Sequence, residues 1–208
     1  MKRIFLCCIL FLLILVSGGC NKEPPPTAME QIQEKLLQME GYSCLATLTR
    51  TSNKSENVYE TKQDFKNTGE YRLELLAPDT VKGNLTICDG KAICQYNPHL
   101  KEQFHYNIPP SPGRNQLFLG QFIKNYMQSE DVSVETAALE ESRCTVLEAV
   151  IPQNSDALAS EKLWVDTKTL LPVRFILYDK DGIERYRLDY HKFTYNPTFA
   201  ENLFVLPE

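Results

Sequence analysis

Two stretches of alternating apolar residues flank the pair Asp181-Gly182, and this arrangement restricts the fold more than any other feature of the sequence. Asp-Gly favours a two-residue type I′ turn, which fixes the register of the two strands that it joins. That register forms three apolar or aromatic pairs on one face: Val173 with Tyr190, Phe175 with Leu188, and Leu177 with Tyr186. On the other face Arg174 lies opposite Asp189, a favourable cross-strand pair of opposite charges. A shift by one residue would destroy this agreement, so the sequence predicts an antiparallel hairpin.

Alternation with a period of two also occurs upstream of this hairpin. It predicts further strands over 42–52, 56–66, 70–76, 101–108, 142–151 and 161–166. Short turns between the first three of these strands indicate an antiparallel meander. A second pair, Asp89-Gly90, predicts a hairpin in which Leu85 pairs with Cys94 and Ile87 with Ala92. In this register Cys88 and Cys94 lie on opposite faces of the hairpin.

Two amphipathic segments predict helices. Thr27 and Glu30 have the spacing of a capping box, and an apolar stripe then predicts a helix over 28–40 that ends before Gly41. The members of the stripe are Met29, Ile32, Leu36 and Met39. The segment 117–127 predicts a second helix. Its predicted inward residues are Phe118, Phe122, Ile123 and Met127, and its predicted solvent-facing residues are Gln121, Lys124, Asn125 and Gln128. The order of helix, about five strands, helix and about five strands predicts an α+β fold with helices on one face of an antiparallel sheet.

The N-terminus has the pattern of a secretory signal peptide. Lys2 and Arg3 precede thirteen consecutive apolar residues, Ile4–Val16, and small residues follow. Spanning a bilayer requires about 20 apolar residues, so this run is too short to be a transmembrane helix. The sequence Ser17-Gly18-Gly19-Cys20 resembles a bacterial lipobox, although leucine is usual where Ser17 stands. That resemblance implies cleavage before Cys20 and transfer of a diacylglyceryl group to its thiol. The alternative is an ordinary cleaved signal followed by a chance cysteine.

These features predict three regions: a signal peptide over 1–19, a lipidated cysteine and proline-rich tether over 20–27, and one folded domain over 28–208. Two acyl chains on Cys20 would hold the exported chain stably on the outer face of the cell membrane. Without residues 1–19 the chain has 20 Lys and Arg against 27 Asp and Glu, a net charge of −7. An acidic chain of this kind is a poor partner for nucleic acid.

Four cysteines remain in the predicted domain, namely Cys44, Cys88, Cys94 and Cys144. An even number in an exported chain is compatible with two disulfides, with a bridge between two copies, or with buried free thiols. Cys88, Cys94, His99 and His105 are of residue types that bind zinc, but the C-x₅-C spacing is wider than in common zinc sites. A pairing of cysteine with histidine for nucleophilic catalysis also stays open. The sequence contains no G-x-S-x-G, H-E-x-x-H, P-loop or G-x-G-x-x-G motif, so we predict no catalytic, cofactor-binding or metal-binding residues.

Several segments resemble the LolA/LolB lipoprotein-carrier superfamily. The first is Tyr71–Pro78, followed by Ile87–Lys91 with its Asp-Gly-Lys hairpin and by Gln95–Pro98. The second group consists of Leu163–Asp166, Leu171-Pro172, the Asp181-Gly182 hairpin and Asn202–Pro207. This resemblance implies a curved, open and incomplete antiparallel β-barrel with helices on its concave face. It also implies one alternative function, the carriage of lipid or lipoprotein acyl chains in the hollow.

A lipobox, a short tether and a LolA-like domain together resemble the germination lipoproteins of spore-forming clostridia, the GerS type. That resemblance implies a non-catalytic protein that binds and supports a zinc-dependent N-acetylmuramoyl-L-alanine amidase acting on spore cortex peptidoglycan. It also implies a location on the cell or forespore membrane. Two further hypotheses stay open: a zinc-containing hydrolase, and a homodimer formed by strand exchange or by a disulfide.

Overall fold

Eleven strands form one antiparallel sheet in the computed structural model, which describes residues 25–106 and 116–206. The helices are α1 (Ala28–Leu37) and α2 (Leu119–Gln128). The strands are β1 (Gly41–Thr51), β2 (Glu56–Lys66), β3 (Glu70–Ala77), β4 (Leu85–Asp89), β5 (Ile93–Asn97), β6 (Glu102–Tyr106), β7 (Val132–Leu139), β8 (Ser142–Ser155), β9 (Leu158–Asp166), β10 (Pro172–Tyr178) and β11 (Glu184–Tyr195). Their order across the sheet is β6-β5-β4-β3-β2-β1-β11-β10-β9-β8-β7. The sheet therefore consists of two meanders joined through β1 and β11, and it is not closed into a barrel, as predicted.

The register of the β10–β11 hairpin is confirmed. Arg174 pairs with Asp189, Phe175 with Leu188 and Leu177 with Tyr186, and the Arg174 Nε lies 2.5 Å from Asp189 Oδ1. The predicted two-residue turn is wrong, because the loop extends over 179–183. The Asp179 carboxylate accepts hydrogen bonds from the backbone N–H of Asp181 (3.0 Å) and Ile183 (2.9 Å), so the loop closes around this side chain.

The predicted register of the β4–β5 hairpin is wrong by two residues. Leu85 pairs with Tyr96 and Ile87 with Cys94, because the turn is longer than two residues. The Asp89 carboxylate stabilises this longer turn by accepting hydrogen bonds from the backbone N–H of Lys91 and Ala92, both at 2.8 Å. A shift by two residues keeps every side chain on its face, so the placement of Cys88 and Cys94 on opposite faces is confirmed.

The sequence did not predict β7. This strand pairs only with β8 among the described strands, and most of its residues are exposed on both faces. An edge strand without a buried face lacks a strong apolar signal. With β7 and the short strand β6 included, six strands precede α2 and five follow it.

The capping box of α1 is confirmed. The Glu30 N–H donates to Thr27 Oγ1 (3.3 Å), and the Thr27 N–H donates to the Glu30 carboxylate (2.7 Å). The helix ends at Leu37 rather than at residue 40, and Gly41 is the first residue of β1. The Asn196 side-chain oxygen accepts from the N–H of Glu40 (2.8 Å) and of Gly41 (3.2 Å), which ties this connection to the residue that follows β11.

The inward face of α2 differs from the prediction at two positions. Phe118 and Phe122 are buried as predicted, but Met127 is 63% exposed and Asn125 is only 4% exposed. Asn125 is satisfied in the interior because its side chain accepts from Gln121 (2.8 Å) and donates to Gln116 (3.1 Å). Its burial therefore depends on neighbouring polar side chains that an apolar-stripe argument does not take into account.

Both helices pack on the same face of the sheet, and α2 contacts both meanders. The ring centroid of Phe118 lies 4.7 Å from that of Tyr71 on β3, and the centroid of Phe122 lies 5.6 Å from that of Phe175 on β10. A short helix reaches strands so far apart in the sheet order only if the sheet curves around it. Helices on the concave face of an open antiparallel sheet were the predicted fold class.

Candidate functional site

The concave face is the natural candidate for function because it holds both helices and the largest apolar side chains. Aromatic rings fill its centre: Tyr42 stacks on Phe65 and on Phe193, with centroids 5.6 and 5.0 Å apart. Ile32 and Leu36 of α1 and Leu119 of α2 complete the packing. Side chains therefore occupy the hollow beneath the helices, and the pockets described below lie at its margins.

An apolar groove of about 220 Å³ runs between the two helices. Phe122 of α2 and Leu147 of β8 line its deeper part. Leu37 of α1 and Met127 of α2 stand on its rim, 58% and 63% exposed. Exposed apolar side chains that flank a groove are typical of protein interaction sites. Met127 is also an adaptable contact, because its side chain is flexible and polarisable.

A carboxyl group is buried on the concave face below α2. Glu161 of β9 is fully buried, and burial raises the pKa of its carboxyl to about 8. The Asn125 side chain opposes this rise in pKa only in part, and neither carboxyl oxygen makes a hydrogen bond of normal geometry. At neutral pH this site therefore favours the protonated, uncharged acid. The sequence analysis missed Glu161, and its position between the apolar residues of β9 was the only available signal.

The four cysteines of the domain are all buried free thiols. Burial raises the pKa of each thiol above its usual value, most strongly at Cys44. Such thiols are poor nucleophiles because the reactive form is the thiolate. The sequence was compatible with two disulfides, with a bridge between two copies or with free thiols, and the structure has the free thiols. A disulfide between two copies would require one of them to become exposed.

The candidate zinc ligands do not converge. Cys88 belongs to the concave core, whereas Cys94 lies on the opposite face with its sulfur 3.7 Å from His105 Nε2. His99 lies in the turn after β5, where its backbone N–H donates to Asn97. Among the described residues, no group of three or more His, Cys, Asp or Glu side chains is arranged to hold a metal ion.

A chain of polar contacts on the convex face was not predicted. The Thr47 hydroxyl lies 2.7 Å from His191 Nε2 and 2.8 Å from a Glu60 carboxylate oxygen. A nucleophile of the serine-protease type needs an imidazole between hydroxyl and carboxylate, whereas here the hydroxyl stands in the middle. The imidazole and the carboxylate are about half exposed on open strands. We therefore interpret this cluster as a cross-strand surface interaction.

The predicted lipidation site, Cys20, and the signal peptide over 1–19 lie outside the described residues. The described chain begins just before α1, and Thr27–Met29 line a pocket together with Val134 and Thr136 of the edge strand β7. Within the described residues, neither helix has the length and apolar character needed to cross a membrane.

Comparison with known families gives a match to the family described as "YdcC: Sporulation protein YdcC-like", over residues 1–204. The chain belongs to this family. The open sheet and the two helices on its concave face are therefore the fold of a YdcC-like protein. No curated protein matches the sequence.

Solved structures that are similar to this YdcC-like chain include the following three. An uncharacterized conserved protein from Thermus thermophilus has a TM-score of 0.55 and 16% identity, covering 88% of this chain and 95% of that one. The GerS lipoprotein, solved in complex with the CwlD amidase from Clostridioides difficile, has a TM-score of 0.50 and 29% identity, covering 84% and 99%. The LolA superfamily protein NE2245 from Nitrosomonas europaea has a TM-score of 0.44 and 13% identity, covering 88% and 99%. The predicted resemblance to the GerS type is confirmed.

Proposed function

We propose that this protein is an exported, non-catalytic lipoprotein that binds and supports an N-acetylmuramoyl-L-alanine amidase of the spore cell wall during germination. The observation that carries the proposal is the 29% identity, over 84% of the chain, to a lipoprotein that was solved bound to an amidase. Membership of a sporulation family supports the same cellular setting. The inert, buried thiols are consistent with a role in binding rather than in catalysis.

The groove between α1 and α2 is the surface that we assign to the amidase. Leu37 and Met127 are exposed on its rim, and partner contacts are strongest where large apolar side chains enter a pocket. Helical or loop segments of a partner commonly dock in grooves of this kind through a few apolar anchors.

Replacing Leu37 and Met127 together with aspartate is expected to weaken amidase binding at least about tenfold, because each charge would have to be desolvated in the interface. The measurement is the dissociation constant for the zinc-dependent amidase of the same organism, by biolayer interferometry. Both side chains are largely exposed, so we expect the variant to fold normally.

Ile183→Asp is the matched control, because Ile183 is also an exposed apolar residue (46%) but lies on the β10–β11 loop. It should bind the amidase like the unchanged protein. If the groove variant and the control bind the amidase with equal affinity, the amidase binds to a different surface. An amidase that binds none of the three proteins would contradict the proposed function.

Cys20→Ala is expected to move the protein from the membrane fraction to the soluble fraction. Our reasoning is that two acyl chains on the Cys20 thiol form the stable anchor. The measurement is fractionation of cells that express the full-length chain, followed by detection of the protein in each fraction. Ser17→Ala leaves the thiol in place and is the control. A Cys20→Ala variant that still sediments with membranes would rule out lipidation at this position.

The homodimer by strand exchange stays a prediction, and an exchange of this kind would need strands at the edges of the sheet. These are β6 and β7, the outermost strands of the sheet. β7 is the longer of the two and is exposed along most of its length, so it is the better template for pairing with another strand.

A further inference from the structure

A pocket of about 320 Å³ lies on the part of the concave face formed by β3–β6. Its floor is a row of cross-strand neighbours: Leu73 pairs with Thr86, Thr86 with Gln95, and Gln95 with Phe104. Its volume is at the small end of the range for pockets that hold small molecules. None of the residues described above as the amidase-binding groove contributes to it.

The lining of this pocket is uncharged, but it contains several polar side chains. Amide side chains come from Asn84, Gln95 and Asn97, and a hydroxyl comes from Thr86. The apolar part consists of Leu73, Leu75, Leu85, Tyr96 and Phe104. Without a charged side chain, the pocket cannot offset the free-energy cost of desolvating a phosphate, carboxylate or ammonium group.

Two details show how the polar groups are arranged. The Asn84 side chain lines the pocket, and its Oδ1 atom is buried without a hydrogen bond, which is unusual for a buried oxygen. The Tyr106 hydroxyl donates to Gln95 Oε1 (3.2 Å), which orients this amide and leaves its nitrogen as a donor. The pocket thus presents amide and hydroxyl groups beside leucine and aromatic side chains.

We propose that this pocket binds one or two units of a neutral saccharide. Sugar hydroxyls can form hydrogen bonds with the amide side chains that line the pocket, and the C–H face of a pyranose ring can pack against an aromatic ring. Phe104 is 53% exposed and is available for that packing. A hydrocarbon chain fits less well, because it would cover the amides without pairing them.

The test is ligand-observed saturation-transfer NMR on the matured protein in lipid nanodiscs, with N,N′-diacetylchitobiose as the probe. For a ligand of this size we expect a dissociation constant of about 1 mM. Phe104→Ala and Asn84→Leu should each weaken binding about tenfold, because one removes the aromatic surface and the other removes an amide side chain of the lining. Leu100→Ala is the control, since Leu100 is 64% exposed near the pocket but is not part of its lining.

Thermal unfolding of each variant would show that a loss of binding is not a loss of folding. The proposal is overturned if the probe shows no saturation transfer, or if Phe104→Ala and Asn84→Leu bind it like the control. It is also overturned if decanoate, a fatty acid probe, binds in a Phe104-dependent manner and the disaccharide does not. The readout contains no amidase, so its outcome is separate from that of the proposed function.

Discussion

Gly120→Ala is expected to destabilise the protein by about 3 kcal/mol, although alanine is the better helix former. A Cβ atom on Gly120 would overlap the ring of Phe65. Phe65 has little room to move, because it is buried and its ring stacks on Tyr42 and on Phe118 with centroids 5.6 and 5.9 Å away. The substitution therefore has to push α2 away from the sheet. The measurement is the free energy of unfolding in urea.

Two further variants make this prediction specific. Gly182→Ala has open space around the new Cβ and should cost only about 1 kcal/mol, the strain of its left-handed backbone. Phe65→Leu should reduce the cost of Gly120→Ala, because it removes the ring that the new methyl group meets. Additive effects of the two substitutions, or a Gly120→Ala variant that is as stable as the unchanged protein, would contradict this packing.

Glu161→Gln is expected to stabilise the protein at alkaline pH by about 5 kcal/mol. The carboxyl has a pKa of about 8 in the folded protein and of 4.5 as its ordinary value. Between these two pH values the folded state binds the proton more tightly than the unfolded state does. The contribution of Glu161 to stability therefore falls as the pH rises from about 4.5 to about 8 and is constant above that. Glutamine keeps the shape of the protonated acid and removes this dependence.

The measurement is the difference in unfolding free energy between Glu161→Gln and the unchanged protein from pH 5 to about 9. A difference that grows with pH is the expected result. Glu148→Gln is the control, because Glu148 lies on the neighbouring strand, its carboxylate is partly exposed, and it pairs with Lys162 at 3.1 Å. Parallel curves for Glu161→Gln and the unchanged protein would show that this carboxyl is not protonated in the folded state.

The sheet was predictable wherever one face of a strand is apolar. The β10–β11 register followed from three apolar pairs, and the strand over 56–66 has the predicted bounds. The loops were not predictable to the residue, because the carboxylates of Asp89 and Asp179 select turns longer than the type I′ turn that Asp-Gly favours. β7 escaped prediction because an exposed edge strand needs no apolar face.

The candidate sites were less predictable than the sheet. Asn125 and Glu161 are polar residues that become buried where α2 packs on β8 and the Asn125 side chain lies beside Glu161 of β9, a contact between segments distant in the sequence. The groove and the saccharide pocket likewise depend on tertiary structure, since their linings come from several elements. The opposite placement of Cys88 and Cys94, in contrast, depends only on strand parity and was predicted correctly.

Native mass spectrometry of the matured protein mixed with its amidase tests the central claim most directly. The claim is that the protein acts by holding an enzyme rather than by carrying a lipid or catalysing a reaction. It predicts a stable complex of the two proteins, with no acyl ligand bound to the domain other than the chains attached at Cys20. A protein that forms no complex with the amidase and retains a non-covalent lipid would contradict this claim and favour the carrier function.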